Sequence, residues 1–291
     1  NSGTAFSASS ANALIDVTPV NDGPVVTVPG PQSTTEDMEI TIGGISVSDV
    51  DVNETNSPNN TISVTLSASH GILNVSGGAG IVGNGTASVV VTGTLTDVNA
   101  TIGNVRYTPD ANYNGIDTLT VSANDLGHTG GNPLSVTQMI ALTVNPVNDG
   151  PVVTVPGPQS TTEDMEITIG GISVSDVDVN ETNSPNNTIS VTLSASHGIL
   201  NVSGGAGIVG NGTASVVVTG TLTDVNATIG NVRYTPDANY NGIDTLTVSA
   251  NDLGHTGGNP LSVTQMIALT VNPVNDAPTN PNNVDLTAIP E

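Results

Sequence analysis

A perfect internal repeat constrains this chain more than any other feature. Residues 19–145 recur without one change at 146–272, so the period is 127 residues. A segment of this length can bury a hydrophobic core of its own. Selection for a two-part active site would make the copies diverge, whereas selection for length or spacing would leave them alike. The repeat therefore favours a structural array over an enzyme.

The repeats meet at short proline-rich joints. The motif PVNDGP at 19–24 returns at 146–151 and, as PVNDAP, at 273–278. Proline fixes φ and removes a backbone donor, so these joints should be stiff. The sequence predicts four parts: the last strand of a preceding repeat at 1–21, a domain at 22–148, an identical domain at 149–275, and the start of a following repeat at 276–291.

Hydrophobic alternation within each repeat predicts β-strands separated by Gly, Asn, Asp and Pro clusters. The strands predicted in the first repeat are 25–28, 38–47, 60–69, 87–95, 105–109, 117–125 and 134–147. Residues 69–73 and 77–85 read as hairpin tips, and a short helix is expected near 97–103 with Thr96 as its N-cap. The predicted fold is all-β, with tandem Ig-like or cadherin-like β-sandwiches and one short helix per unit.

The charge balance excludes several classes of partner. The chain has 26 Asp and Glu against two Arg, no Lys and no Cys, for a net charge of -24. Two cations cannot neutralise a run of phosphates, so nucleic-acid binding is excluded. A polyanion is repelled by an anionic bilayer, and the apolar runs are too short to span one, so direct membrane insertion is not expected.

The acidic residues cluster at strand ends. Asp49 and Asp51 flank one residue, so an extended chain places both carboxylates on one face. Like charges about 4 Å apart repel by roughly 4 kcal/mol at an effective dielectric of about 20. All-oxygen clusters favour Ca²⁺, which accepts about 6–8 oxygen ligands. The alternative is that these acids are solvated loop residues that keep the protein soluble.

Several motifs together resemble one known family. The segments VNDGP, TTED, SDVDVNE, YTPDANYNGIDTLTVSAND and LTVNPVNDAP are similar to the cadherin-like repeats of giant bacterial surface proteins, the biofilm-associated and RTX-type adhesins. The resemblance covers nearly the whole chain. It implies secretion to the cell surface and Ca²⁺ at the domain junctions.

The resemblance also implies the ligands. The central junction would use Glu36, Asn148, Asp149, Asp176, Asp178 and Asp252; the upstream one Asn21, Asp22, Asp49, Asp51 and Asp125; the downstream one Glu163, Asn275 and Asp276. Proline replaces an expected ligand Asp in each joint, and the acidic D-R-E motif is reduced to Asp110-Ala-Asn112. Both departures remove carboxylates, so fewer ions per junction are expected than in cadherins.

The remaining polar residues give weaker signals. His70 and His128 lack a second His or Cys at ligand spacing, so both are interpreted as solvated turn residues. A nucleophile elbow is missing, and the few aromatic residues cannot line a glycosidase cleft, so the chain is not expected to be an enzyme. Arg106 is expected to form an ion pair within its unit.

These observations predict structural stalk repeats of a secreted bacterial adhesin, with calcium making the junctions rigid. The expected partners are Ca²⁺ and the neighbouring repeats. The alternatives left open are a self-assembling extracellular filament or surface-layer subunit, built from other copies of the chain, and a glycan-binding module.

Overall fold

A computed structural model describes residues 15–52, 60–128, 130–179, 187–255 and 257–277. The chain divides into two compact units, Asn1–Pro146 and Val147–Glu291. Most of the strand predicted at 1–21 and of the third repeat predicted at 276–291 lies outside the described residues. No helix in the described part is long and apolar enough to cross a membrane.

The first unit is built mainly of strands. Its elements are β1 (Val25–Thr27), β2 (Gln32–Thr35), β3 (Ile40–Gly43), β4 (Ser46–Ser48), β5 (Thr61–Ser67), β6 (Gly71–Asn74), β7 (Gly80–Val82), β8 (Ser88–Thr94), α1 (Leu95–Ile102), β9 (Asn104–Pro109), β10 (Gly115–Asn124) and β11 (Ser135–Asn145).

The second unit repeats this order. Its elements are β12 (Val152–Thr154), β13 (Gln159–Thr162), β14 (Ile167–Gly170), β15 (Ser173–Ser175), β16 (Ile189–Ser194), β17 (Gly198–Asn201), β18 (Gly207–Val209), β19 (Ser215–Gly220), α2 (Leu222–Ile229), β20 (Asn231–Pro236), β21 (Gly242–Asn251) and β22 (Ser262–Asn272).

The strands of each unit form a sandwich of a large and a small sheet. In the first unit the large sheet has the order β2-β11-β10-β5-β8-β7, the small sheet has the order β3-β9-β6, and β1 pairs with β4. Strand β2 runs parallel to β11, and the other described pairings are antiparallel. The second unit has the same topology. This architecture confirms the predicted all-β sandwich.

Strict alternation along the strands builds the core between the sheets. In β5, Ile62, Val64 and Leu66 are fully buried while the residues between them face outward. Tyr107 on β9 is the largest buried side chain of the first unit and joins the same cluster from the small sheet. Burying each such aliphatic side chain contributes roughly 1.5–3 kcal/mol. The core needs no Trp and no disulfide.

The predicted helix is present, although its start differs. Helix α1 begins at Leu95 and its N-cap is Thr94, not Thr96. The Thr94 hydroxyl accepts from the backbone N–H of Asp97 at 3.2 Å and donates to the Asp97 carboxylate at 2.8 Å. This threonine-to-acid pairing across three positions resembles a capping box, which fixes the helix start at Thr94.

Three predicted segments differ from the structure. The strand predicted at 38–47 is divided into β3 and β4 because Gly44 has a φ of +82° between them. The predicted hairpin tips at 69–73 and 77–85 contain strands β6 and β7. Neither short strand shows enough alternation to stand out in the sequence.

Candidate functional site

Asn21, in the first joint, is hydrogen-bonded to one end of the first unit. The Asn21 side chain donates to the Asp125 carboxylate at 2.8 Å and to the Asn132 carbonyl at 3.0 Å. Its amide oxygen accepts from the backbone N–H of His128 at 3.1 Å. We call this end, formed by Asn21, Asp22, Asp49, Asp51, Asp125 and His128, the entry pole.

Asp125 is the best-satisfied carboxylate of the entry pole. Its side chain accepts from the backbone N–H groups of Gly127 at 3.0 Å and Leu134 at 2.7 Å, as well as from Asn21. Burial alone would raise the pKa of Asp125, but these three hydrogen bonds outweigh it and hold the pKa below its usual value. Asp125 therefore stays ionised and anchors the loop after β10.

The D-V-D pair occupies the same pole. Asp51 accepts from the backbone N–H of Asp22 at 2.6 Å, and Asp49 accepts from the backbone N–H of Asp51 at 2.9 Å. The second carboxylate oxygen of Asp49, Oδ2, is buried and has no hydrogen-bond partner. A buried charged oxygen without a partner costs free energy, so this atom marks a place where a cation would be stabilising.

His128 belongs to this pole, which corrects its interpretation as a solvated turn residue. It is 2% exposed, and its Nδ1 atom lies 3.5 Å from Asp49 Oδ1. Its Nε2 atom lies 3.2 Å from the Thr61 carbonyl. Burial follows from long-range contacts with Asn21 and Asp49, which local composition does not reveal. His70 does lie at the surface, where its ring stacks on Tyr113 at 4.1 Å.

The entry pole of the second unit consists of Asn148, Asp149, Asp176, Asp178, Asp252 and His255. The Asn148 side chain donates to Asp252 at 2.7 Å, and the Asp149 N–H donates to Asp178 at 2.6 Å. Oxygens Oδ2 of Asp176 and Oδ1 of Asp178 are buried without a hydrogen-bond partner. Burial raises the pKa of both side chains above the usual value, with the neighbouring carboxylates adding to the rise. Their charged forms are therefore costly.

The early glutamates lie elsewhere. Glu163 is buried, and its carboxylate accepts from the backbone N–H of Val274 at 2.5 Å and from the Asn241 side chain at 3.2 Å. Asn275 and Asp276 follow Val274 and are exposed. Glu36 is buried in the first unit, where its backbone N–H donates to the Asn145 carbonyl at 2.9 Å. Each glutamate thus lies beside the last strand of its unit.

The structure brings together part of each predicted ligand set. The upstream set, from Asn21 to Asp125, lies entirely within the first entry pole. Five members of the central set lie together in the second entry pole, whereas Glu36 belongs to the first unit. Of the downstream set, Glu163 contacts the segment that leads to Asn275 and Asp276.

A cation at an entry pole would need more than carboxylates and histidine. Among the described residues, no group of three or more His, Asp or Glu is arranged to hold a metal ion. The first entry pole does have space, because Asp22 and Asp49 line a cavity of about 270 Å³ with Gly23, Val25, Ser48 and Val50. Carbonyl oxygens and water would have to complete the coordination of a hard cation there.

A further buried carboxylate, which the sequence analysis does not single out, lies at the opposite end of β10 from Asp125. Asp117 accepts from the Tyr107 hydroxyl at 2.9 Å and from the backbone N–H groups of Ser69, His70 and Thr118. Burial would raise the pKa of Asp117, but these hydrogen bonds hold it below its usual value. An Asp at an inward position of the alternating strand β10 was the available signal. Because both of its carboxylate oxygens accept hydrogen bonds, Asp117 has a structural role, and we call this hydrogen-bonded arrangement the lock at Asp117.

Comparison with known proteins gives no family. No family model and no curated protein match the chain. Solved structures do match, among them an endo-fucoidan hydrolase of glycoside hydrolase family 107, with 14% identity, a TM-score of 0.27, and coverage of 90% of this chain and 31% of that one. The chain therefore spans about a third of the length of that hydrolase.

Two further matches involve shorter proteins. The EC1-2 fragment of human protocadherin-24 has 14% identity and a TM-score of 0.35, with 87% of this chain and 100% of that one covered. The major subunit of aggregative adherence fimbriae type I from Escherichia coli has 18% identity and a TM-score of 0.27, with 44% and 99% covered. At these TM-scores and identities, none of the matches assigns an activity or a family.

Proposed function

We propose that the two units are structural spacer domains of a secreted surface adhesin, and that their entry poles bind Ca²⁺. The observation that carries this proposal is the set of buried carboxylate oxygens without partners: Asp49 Oδ2, Asp176 Oδ2 and Asp178 Oδ1. The chain has no Lys, and Arg106 and Arg233, both on the small sheets, each pair with a glutamate that directly precedes a small-sheet strand. Besides its carboxylates, each entry pole contains one Asn and one His side chain, so a bound metal cation would add the fixed positive charge that these carboxylates lack.

The side chains of the entry poles offer the oxygen ligands that a hard divalent cation binds. Asp49 and Asp51 in the first unit, and Asp176 and Asp178 in the second, supply the carboxylate oxygens that Ca²⁺ prefers. The bound ion would neutralise their mutual repulsion. Asn21 and Asn148 hold the rest of the pole in place through hydrogen bonds to Asp125 and Asp252.

Neutralising the entry pole would also fix the joint that leads into the unit. The backbone N–H of Asp149 donates to Asp178, so the joint segment is tied to the same carboxylates that would hold the ion. Repulsion among Asp149, Asp176 and Asp178 opposes this attachment, and a cation reverses that effect. A spacer whose joints are attached in this way would be stiff in calcium-rich surroundings and looser without the ion.

A thermal melt of residues 1–291 tests the proposal. The chain is stripped with EDTA, and its melting temperature is then followed as Ca²⁺ or Mg²⁺ is added. Extracellular calcium modules bind with Kd of about 10⁻⁴–10⁻³ M. An ion that binds only the folded form stabilises it by about 2.7 kcal/mol at 100 times its Kd. A saturable rise specific to Ca²⁺ is expected, and an unchanged or Mg²⁺-equal melting temperature would contradict the site.

The spacer role has its own measurement. Small-angle scattering of the same chain gives its maximum dimension with Ca²⁺ and after chelation. The proposal expects a longer and narrower distance distribution with Ca²⁺. A maximum dimension that does not change on chelation would contradict calcium-dependent stiffness even if the melting temperature responds.

A further inference from the structure

One complete face of the large sheet carries no charge. The outward-facing residues of β2, β11, β10, β5, β8 and β7, which alternate with the buried ones, are all Ser, Thr, Asn, Gly, Ala, Val, Ile or Met. We call this surface the neutral face. Strands β13, β22, β21, β16, β19 and β18 have the same residues and give the second unit its own neutral face.

The neutral face is unusual in a chain with 26 acidic residues. Those described in the first unit lie in the joints, the loops, the helix and the inward position of Asp117. The small sheet, by contrast, carries the ion pair between Arg106 and Glu39, whose nitrogen and oxygen are 3.2 Å apart. The described charged side chains of the first unit therefore all lie away from the neutral face.

The chemistry of the neutral face suits burial against another surface. Ile116, Met139 and Val82 are 77%, 66% and 70% exposed, although each is apolar. Three pairs of polar side chains on this face are hydrogen-bonded across the strands. The Ser122 and Thr137 oxygens, for example, are 3.1 Å apart. Losing water from such paired groups costs less than losing it from unpaired ones.

We infer that the neutral face docks a second copy of this chain, face to face. Two molecules that each carry a net charge of -24 repel one another wherever their acidic loops meet. The neutral face is the broad surface on which two copies can approach without placing carboxylates in contact. A cationic partner would instead be attracted to the acidic loops and ends, so charge favours a copy of the chain on this face.

The size of the neutral face agrees with such a contact. Its six strands contain between 3 and 11 residues each. At roughly 3.3 Å per residue and about 4.8 Å between strands, they cover about 670 Å². This area lies within the roughly 600–1,000 Å² that each partner contributes to an interface of standard size. Since every chain carries two neutral faces, a copy that engages both would gain by effective concentration.

Sedimentation equilibrium of residues 1–291 tests this inference. The chain has a mass of 29.0 kDa, and the average mass should rise towards twice that value with concentration. We expect a midpoint at or below ~100 μM, since interfaces of this size range from micromolar to picomolar. Association should strengthen between low and physiological salt, because salt screens the overall repulsion while the contact contains no ion pairs.

Paired variants separate the neutral face from other surfaces. Glutamate is introduced at its centre in both units by T120E and T247E, and at the small sheet by T41E and T168E as a control with the same added charge. The first pair should weaken association at least tenfold, whereas the control should leave it unchanged. A mixture of the glutamate pair with T120K and T247K chains should restore association, which a folding defect would not allow.

Three results would overturn the inference. The first is a chain that stays monomeric at several hundred micromolar in both EDTA and Ca²⁺. The second is an equal weakening of association by the two glutamate pairs. The third is a monomer that binds a neutral polysaccharide column through the neutral face. Because the experiment is run with and without Ca²⁺, failure of the calcium proposal and failure of this one give different results.

Discussion

Asp178→Asn is the most informative substitution for the entry pole. The Asp178 side chain is fully buried, one of its oxygens accepts from the Asp149 N–H at 2.6 Å, and the other has no partner. Asparagine keeps one carbonyl oxygen for Asp149 and removes the charge that faces Asp176. In EDTA at pH 7, the variant should therefore be more stable than the parent chain.

The expected gain is small but measurable. Relieving an unpartnered buried charge is worth about 2–3 kcal/mol, and weakening a charge-assisted hydrogen bond to a neutral one costs about 1 kcal/mol. The net gain of about 1–2 kcal/mol raises the melting temperature by roughly 3–8 °C for a domain of this size. Because burial raises the pKa of Asp178, the gain should shrink as the pH falls through that raised pKa and the parent carboxyl takes up a proton.

The assay is calorimetry of the full chain, in which the unchanged first unit serves as an internal reference. Asp164→Asn is the matched control, since Asp164 is exposed, belongs to the same unit and has a φ of +64° that Asn tolerates. Asp178→Asn should also lose most of the calcium response of the second unit. An equal rise in the control would mean that net charge alone is responsible, and a fall in EDTA would refute the reasoning.

The remaining predictions concern the lock at the opposite end and the close packing of the helix. Tyr107→Phe, with its copy Tyr234→Phe, removes the hydroxyl bound to Asp117 and should lower urea-unfolding stability by about 1–3 kcal/mol without altering the calcium response. Because hydrogen bonds lower the pKa of Asp117, ionised Asp117 contributes stability that is present above about pH 4 and is lost as the pH falls through its folded-state pKa. The free energy of urea unfolding should therefore depend less on pH in Asp117→Asn than in the parent chain when the two are compared below about pH 5. Gly77→Ala would place a Cβ 2.0 Å from Thr101 Oγ1 and should lower the melting temperature by the equivalent of about 1–3 kcal/mol, whereas Gly30→Ala, with open space around it, should not.

Most of the fold could be predicted from local patterns in the sequence. Alternation of β-branched residues located seven strand regions of each repeat, and helical spacing located α1 to within two residues. What alternation could not show was the pairing of short segments such as β6 and β7, whose place is fixed by β9 and β8 on either side. The cap at Thr94 was present in the sequence as a Thr and an Asp three residues apart.

The entry pole was partly visible in the sequence. The D-V-D motif predicted that Asp49 and Asp51 would lie together, and the resemblance to cadherin-like repeats implied that Asn21 would join them. The structure places all three at one end of the first unit. The burial of His128 was not visible, because it depends on residues 79 and 107 positions away that the fold brings together. The neutral face likewise emerges only when the six strands are placed side by side.

The central claim is that the entry poles bind calcium, and amide chemical shifts during a Ca²⁺ titration test it most directly. The N–H groups of Asp22, Asp51, Asp149 and Asp178 all donate to entry-pole carboxylates, whereas those of Ser69 and His70 donate to Asp117. We predict saturable shifts of the first group, little change in the second, and a much weaker response to Mg²⁺. Shifts that never saturate, or that spread equally over both groups, would contradict a calcium site at the entry poles.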